Sequence, residues 1–278
     1  MTHSVLSRIR PDQIRRNGFV VGIIENALPD DCYQALAETF PTEFIAGPQP
    51  LDNNVAYRKS TAEALSRPEI PSIWKDFLSY HCSKAFFAEF CDVFEEDIAR
   101  LHPGLEANFG KPLAAFDVGV RASDGADDPS NADCDLVLDA QLSINSPVFE
   151  PSSVRGPHLD SPRKLFNALL YLRHPDDEST GGDLEFYRLK KGRLPGETTA
   201  IDPDLVEIVD SVPYGANTLV MFINCPHALH GVSPRSVAPM PRRYVNFLGE
   251  CHGGKSAGFF RPPDRQGLWR SLLASARV

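Results

Sequence analysis

Two side chains of the kind that hold metals, His158 and Asp160, stand two residues apart in "RGPHLDSPRK". In extended backbone, residues two apart point to the same side. One imidazole and one carboxylate can therefore converge on a single point. Two further histidines, His227 and His230, lie in "NCPHALHGVSP", directly after the apolar run "NTLVMFIN". Either could complete a set of two histidines and one carboxylate. Such a set binds a divalent transition metal on one face and leaves positions open for small ligands, which suits Fe(II) and oxygen chemistry. A His-x-Asp pair alone is also an ordinary pair of loop residues. His3, His81, His102, His174 and His252 read as solvated or core histidines.

Short strands must do the positioning. After Pro103, strand-like runs follow one another: "PLAAFDVGVRA", "LVLDAQLSINS", "LFNALLYLR", "DLEFYRL", "NTLVMFIN" and "RRYVNFLGE", separated by Gly- and Pro-containing turns. That spacing fits a sandwich or barrel rather than alternating strands and helices. The segment Ser123 to Asp135 is acidic and turn-rich, a surface loop. Upstream, "GFVVGIIENAL" reads as a strand, and "PDDCYQALAETF" opens with Pro and acids, so a helix should start near Pro29. Apolar spacing between Ile70 and Leu101 predicts two helices or one interrupted helix. The tail "RPPDRQGLWRSLLASARV" is expected to end in a short helix.

Composition narrows the function. A net charge of −9 speaks against a nucleic-acid partner, which needs a basic face. No apolar run approaches the ~20 residues that span a bilayer, so no membrane partner is expected. The first residues, "MTHSVLSRIRPDQIRR", carry no signal-peptide apolar stretch. Six cysteines without a CxxC pair read as reduced thiols, giving an expected cytoplasmic location. Neither GxGxxG nor a P-loop is present, so nucleotide cofactors are not supported.

The order HxD, strand, Gly-Gly turn, strand, distal His, Arg-bearing strand resembles the 2-oxoglutarate-dependent Fe(II) oxygenase superfamily, of the prolyl-hydroxylase-like kind. The matching residues are "HLD" (158–160), "NALLYL" (167–172), "GGDLEF" (181–186), "HGV" (230–232) and "RRYVNF" (242–247). They cover roughly Leu136 to Glu250. The resemblance implies an α+β chain with a mainly β core: a double-stranded β-helix, that is, a jelly-roll or cupin-like barrel, with N-terminal supporting helices. It implies one oxygenase domain over 1–278. Residues 1–110 give the N-terminal strand and helical support, 111–250 the β-helix core and 251–278 the C-terminal tail.

Carried onto this chain, the resemblance makes His158 and Asp160 the first two metal ligands and favours His230 over His227 as the third. It implies that Arg243 binds the far carboxylate of 2-oxoglutarate. A planar guanidinium suits that role. By strand alternation Arg243, Val245 and Phe247 should share the inner face and Arg242 should face solvent. Tyr171 matches a tyrosine that bonds the same carboxylate, and Asn167 and Leu169 lie on its face. Asn145 resembles an upstream asparagine that touches the cosubstrate, and equally reads as a turn cap before Pro147. Two departures stand out: the His230-to-Arg243 spacing is long, with "SVAPMP" inserted, and position 245 is Val where many relatives carry Ser.

The activity so implied is hydroxylation of a small molecule or amino-acid-like substrate, using Fe(II), 2-oxoglutarate and O2, with ascorbate as a possible reductant and succinate and CO2 as co-products. Asp160 fills the position that halogenating relatives leave to chloride, so hydroxylation rather than halogenation is expected. Arg155, Arg163 and Lys164 flank the HxD pair as a solvated basic loop or as contacts to an anionic substrate. The rival readings are a metal-binding cupin-type enzyme without 2-oxoglutarate chemistry, and a binding module that is metal-free or holds zinc.

Overall fold

The computed structural model describes residues 3–122, 129–191 and 200–252. The helix expected in the tail and part of the acidic loop over 123–135 lie outside those residues.

Apolar runs bounded by turn residues become strands, and amphipathic runs become helices. Strands β1 (Ile14–Arg15) and β2 (Val21–Glu25) open the chain. Helix α1 (Asp30–Glu38) starts after Pro29 with Asp30 and Asp31 in its first turn, where acids complement the helix dipole. Helix α2 (Thr42–Ala46), strand β3 (Ala56–Lys59) and helix α3 (Thr61–Leu65) follow. The long apolar stretch divides into α4 (Ser72–His81) and α5 (Lys84–Leu101). Ser83 makes the division, because its hydroxyl caps the second helix by accepting the Phe86 N–H at 3.3 Å. Helix α6 (Leu105–Phe109) and strand β4 (Val118–Val120) lead to β5 (Leu136–Asn145), β6 (Lys164–Tyr171) and β7 (Leu184–Leu189). Then come β8 (Val206–Val212), β9 (Thr218–Ile223), β10 (Leu229–Val232) and β11 (Arg242–Cys251).

Among the described residues the strands form two sheets. The larger runs β1-β2-β9-β6-β11-β5-β3, with β4 added in parallel to the start of β5; the smaller runs β10-β7-β8. The central strands of the larger sheet are buried on both faces, which explains their nearly continuous apolar sequences. Alternate residues serve different purposes. Leu138, Ala140, Leu142, Phe166, Ala168, Leu170, Met221, Val245 and Phe247 pack against the helices. There they meet the phenylalanines of α5, with Phe90 and Phe166 ring centroids 4.3 Å apart. The residues between them, including Leu169, Tyr171, Val220, Phe222 and Tyr244, face the smaller sheet and close the barrel interior with Leu184, Phe186 and Tyr214. No helix among the described residues is long and apolar enough to cross a membrane.

Candidate metal centre and active site

The site forms where the loop carrying the HxD pair meets the short strand β10. His158 and His230 pair as an antiparallel bridge, each backbone N–H donating to the other's carbonyl at 2.9 and 3.0 Å. Backbone hydrogen bonds thus set two imidazoles side by side, with ring centroids 4.2 Å apart. The close approach needs Gly231, since a Cβ there would stand 2.9 Å from the carbonyl carbon of Gly156. That is the physical content of the "HGV" motif. Asp160 follows two residues after His158 and points to the same place, as alternation requires.

Ligating atoms of His158, Asp160 and His230 all lie within 4.8 Å of one another, and all three residues are buried. Each histidine has Nδ1 2.9 Å from a backbone carbonyl, Gly156 for His158 and Ala228 for His230. A carbonyl only accepts, so Nδ1 carries the proton and Nε2 keeps its lone pair. Burial, reinforced by the charges of His230 and Arg155, pushes the His158 pKa down to about 3. Burial likewise lowers that of His230. Both imidazoles are therefore neutral at pH 7, the form that binds a metal. Burial works against the Asp160 carboxylate, but the charge of Lys164 and its hydrogen bond, with the neighbouring imidazoles, outweigh it and hold the pKa far below the usual range. Lys164 Nζ donates to Oδ1 at 2.9 Å and Asn167 Nδ2 to Oδ2 at 3.2 Å, which fixes the carboxylate plane. Oδ2 also lies 3.6 Å from His230 Nε2. Two neutral imidazoles and one anionic carboxylate fit Fe(II) by donor type and charge. His227 is exposed and outside this cluster.

The two arginines at the start of β11 stand on the faces opposite to those expected. Arg243, assigned from sequence to the cosubstrate, lies on the helix side. Its Nε donates to the Leu172 carbonyl at 3.0 Å and Nη1 to the Ala37 carbonyl near the end of α1 at 3.2 Å, and its guanidinium lies over the Phe40 ring. Val245 and Phe247 do share its face, but that face is the helix-packed core. Arg242, expected in solvent, is only 2% exposed. It enters the barrel, its guanidinium 4.7, 4.9 and 5.1 Å from the ring centroids of Tyr171, Tyr214 and Tyr244. Pairing with β5 sets the observed phase, with Arg242 opposite Asn145 and Arg243 opposite Ile144. Bridges Ser152↔Arg235 and Val148↔Ala238 take up the inserted segment between β10 and β11, and β11 enters the sheet one residue out of phase with the expectation.

Arg242 is also a buried cation lacking an anion among the described residues. Its Nε and Nη2 have no hydrogen-bond partner there, and neither do the Tyr171 hydroxyl and Asn145 Oδ1. Asn145 is the direct cross-strand partner of Arg242. Arg235 provides the contrast. It is equally buried near the same Tyr214 ring, but it pairs with Asp177 at 2.7 Å and takes Ser179 as a further acceptor at 2.8 Å. A buried guanidinium is costly unless an anion answers it. Arg242, Tyr171 and Asn145 together thus make a polar niche suited to a carboxylate.

Asn167 joins the metal side of the interior through Asp160, while Tyr171 and Asn145 join the Arg242 side. Sequence reasoning missed Tyr214, whose hydroxyl accepts the Arg243 N–H at 2.8 Å and whose ring faces Arg242. It also missed Tyr244 and Asn246, which follow Arg242 at two-residue steps on β11. Strand alternation counted from Arg242 instead of Arg243 would have found both.

No protein-family model matches the chain, and no curated protein matches it. Solved structures do. The structure of prolyl 4-hydroxylases from Phytophthora capsici is similar over 92% of this chain and 68% of its own, at 13% identity and a TM-score of 0.50. A prolyl-4-hydroxylase from Pseudomonas putida matches over 84% of this chain and 94% of its own, at 15% identity and TM-score 0.44. A prolyl hydroxylase from Trichoplax adhaerens, solved with a hypoxia-inducible-factor peptide fragment, matches over 87% of each chain at 11% identity and TM-score 0.42. The Phytophthora likeness shows the fold, a double-stranded β-helix.

Proposed function

We propose that this chain is an Fe(II)- and 2-oxoglutarate-dependent dioxygenase that hydroxylates a small molecule. One observation carries the reading: a buried His-Asp-His cluster and a buried, unanswered arginine share one barrel interior. A metal site alone would fit many proteins. The paired niche asks for a ligand with a metal-chelating end and a carboxylate end, and 2-oxoglutarate has both.

His158 Nε2, His230 Nε2 and an Asp160 oxygen would hold Fe(II), with Lys164 and Asn167 keeping the carboxylate in place. Arg242 would pair with the far carboxylate of 2-oxoglutarate, and Tyr171 and Asn145 would complete its polar surroundings. Leu169, Phe186, Val220 and Phe222 line the interior and exclude water from it. When bound, iron and 2-oxoglutarate supply the oxidising chemistry: R–H, 2-oxoglutarate and O2 give R–OH, succinate and CO2.

Anaerobic addition of Fe(II) and 2-oxoglutarate should produce the visible charge-transfer absorbance of the chelate. In air with ascorbate, succinate should form. Binding of Fe(II) without any effect of 2-oxoglutarate on absorbance would instead favour a cupin-type metal protein and sink this reading.

A further inference from the structure

Two arginines at the open side of this interior make no ion pair among the described residues, although Asp160 acts on one of them at longer range, and they lie on different elements. Arg58 is on β3, the strand beside β5. Its neighbours Tyr57 and Lys59 belong to the helix side: Tyr57 packs against that core, and Lys59 lies over the Phe44 ring and pairs with Glu63 at 3.1 Å. Alternation sends Arg58 to the opposite face. There it begins a cross-strand row, Arg58 opposite Ser143, Ser143 opposite Tyr244, Tyr244 opposite Tyr171. The row runs from an exposed guanidinium to the buried niche of Arg242.

Arg155 arrives from the other side, three residues before His158. Its backbone is fixed, because its carbonyl accepts the Val232 N–H at 2.9 Å. Burial lowers the pKa of its guanidinium; Asp160 opposes that shift, Arg58 adds to it and the Tyr244 hydroxyl opposes it. Its own charge in turn reaches both His158 and His230. Neither Arg58 nor Arg155 makes a side-chain hydrogen bond or ion pair among the described residues, and the Tyr244 hydroxyl makes no hydrogen bond there. The other basic groups in this region are engaged. Lys164 holds Asp160 at 2.9 Å, Arg121 reaches Glu250 at 3.2 Å and Arg163 reaches it at 3.6 Å. Two guanidinium groups that repel each other, beside a free phenol, are suited to an oxyanion, which would answer both charges at once.

We propose that Arg58, Arg155 and Tyr244 form a substrate subsite for an oxyanion, so that the molecule hydroxylated here is a small organic acid or phosphomonoester. The proposal rests on the oxygenase reading for the word "hydroxylated", but the subsite can be tested apart from it. Arg242 serves the cosubstrate at the buried end; Arg58 and Arg155 serve the prime substrate at the exposed end.

The test uses the protein loaded with Mn(II) and 2-oxoglutarate, and follows paramagnetic relaxation of small probes. N-acetylglycine and glycerol 3-phosphate are compared with their neutral counterparts, N-acetylglycine methyl ester and glycerol. At least one anionic probe should show enhanced relaxation that saturates, and its neutral counterpart should not; the stronger of the two anions identifies carboxylate or phosphate as the group recognised. Arg58→Gln and Arg155→Gln should each weaken that probe about ten-fold, the loss of one charge-assisted contact. Arg58→Lys and Arg155→Lys should recover part of the loss. Both positions are exposed, so the variants should fold. Equal relaxation by neutral and anionic probes, no enhancement by either anion, or unchanged affinity in the Gln variants overturns the subsite. So does loss of probe binding as 2-oxoglutarate is raised, which would assign the pair to the cosubstrate. If 2-oxoglutarate has no effect on the iron site while a probe anion still depends on Arg58 and Arg155, the oxygenase reading fails and the subsite stands.

Discussion

The two faces of β6 and β11 use the same backbone for opposite ends. On the helix side lie Phe166, Ala168, Leu170, Val245 and Phe247, apolar and packed to near-complete burial. On the barrel side lie Asn167, Tyr171, Arg242 and Asn246, equally buried, with polar atoms that no described residue satisfies. The first face holds the sheet to its helices. The second keeps unsatisfied donors and acceptors inside the protein at a cost in stability, and such groups are where ligands bind. Neighbouring positions on one strand therefore differ in what a substitution should break.

The largest separation is expected at the metal cluster. His158→Ala or His230→Ala should abolish metal-dependent succinate formation while the variant still unfolds cooperatively in denaturant. If His230→Ala stays active and His227→Ala is dead, the geometry at β10 has been misread. On the helix face the reverse holds. Phe166→Ala should lower unfolding free energy by about 3–5 kcal/mol, the range for a large ring removed from a packed core. The folded fraction should still bind metal. A denaturant titration in parallel with Mn(II) binding compares the two.

The sharpest comparison is between adjacent residues. Arg242→Ala should weaken 2-oxoglutarate binding roughly ten- to a hundred-fold, because losing a charge-assisted contact costs about 1.5–3 kcal/mol. Stability should change little or rise, since an unanswered buried charge is removed. Arg243→Ala should do the opposite, lowering stability through the lost bonds to Leu172 and Ala37 with little effect on the cosubstrate. Equal effects of the two substitutions on 2-oxoglutarate affinity would refute the face assignment.

The smallest expected effect is the share of the pH dependence that the helix side contributes, beside that of His158 and His230. His81 is buried among Phe77, Tyr80, Phe86 and Phe247, and its Nε2 accepts the Val5 N–H at 3.1 Å. Burial lowers its pKa from 6.5 to about 4, partly offset by the Phe77 carbonyl. The unfolded chain then binds a proton that the folded one refuses. Stability contributed by neutral His81 is present above about pH 6.5 and is lost as pH falls toward 4. Between about pH 7.5 and pH 5.5 the loss should be roughly 1.4 kcal/mol. His81→Gln should flatten the stability–pH curve by that amount; an unchanged slope would show that other groups carry it.

Much of this architecture can be read in the chain. The strand runs, the split helix after Ile70 and the HxD…HGV order follow from local pattern, and the structure has β5, β6, β7, β9 and β11 where those runs lie. What could not be read depends on phase and on distant partners. Arg242 and Arg243 are chemically identical, and only their pairing with Asn145 and Ile144 on β5 decides which one enters the barrel. The short β3 gives too few residues to show alternation, so Arg58 carried no signal. Strand β8, "VEIVDSV", did show a partly apolar run, but its exposed Ile208 and Val209 blur the alternation. Lys164 stood beside the HxD pair as one more basic residue until Asp160 appeared as its partner.

The connection from β10 to β11 has a consequence for how the chain tolerates change in length. Surface loops ordinarily accept insertions and deletions at little thermodynamic cost. This one leads into a strand whose ten residues are each paired with β5 and whose two sides have unlike chemistry. A shift of phase would send Arg242 into the apolar layer, so the pairing and not the loop holds the register. Removing one residue between Val237 and Met240 should therefore cost the Val148–Ala238 bridge and leave Arg242 inward. The distance along the chain from His230 to the inward arginine is then free to drift, and strand phase rather than spacing identifies that arginine.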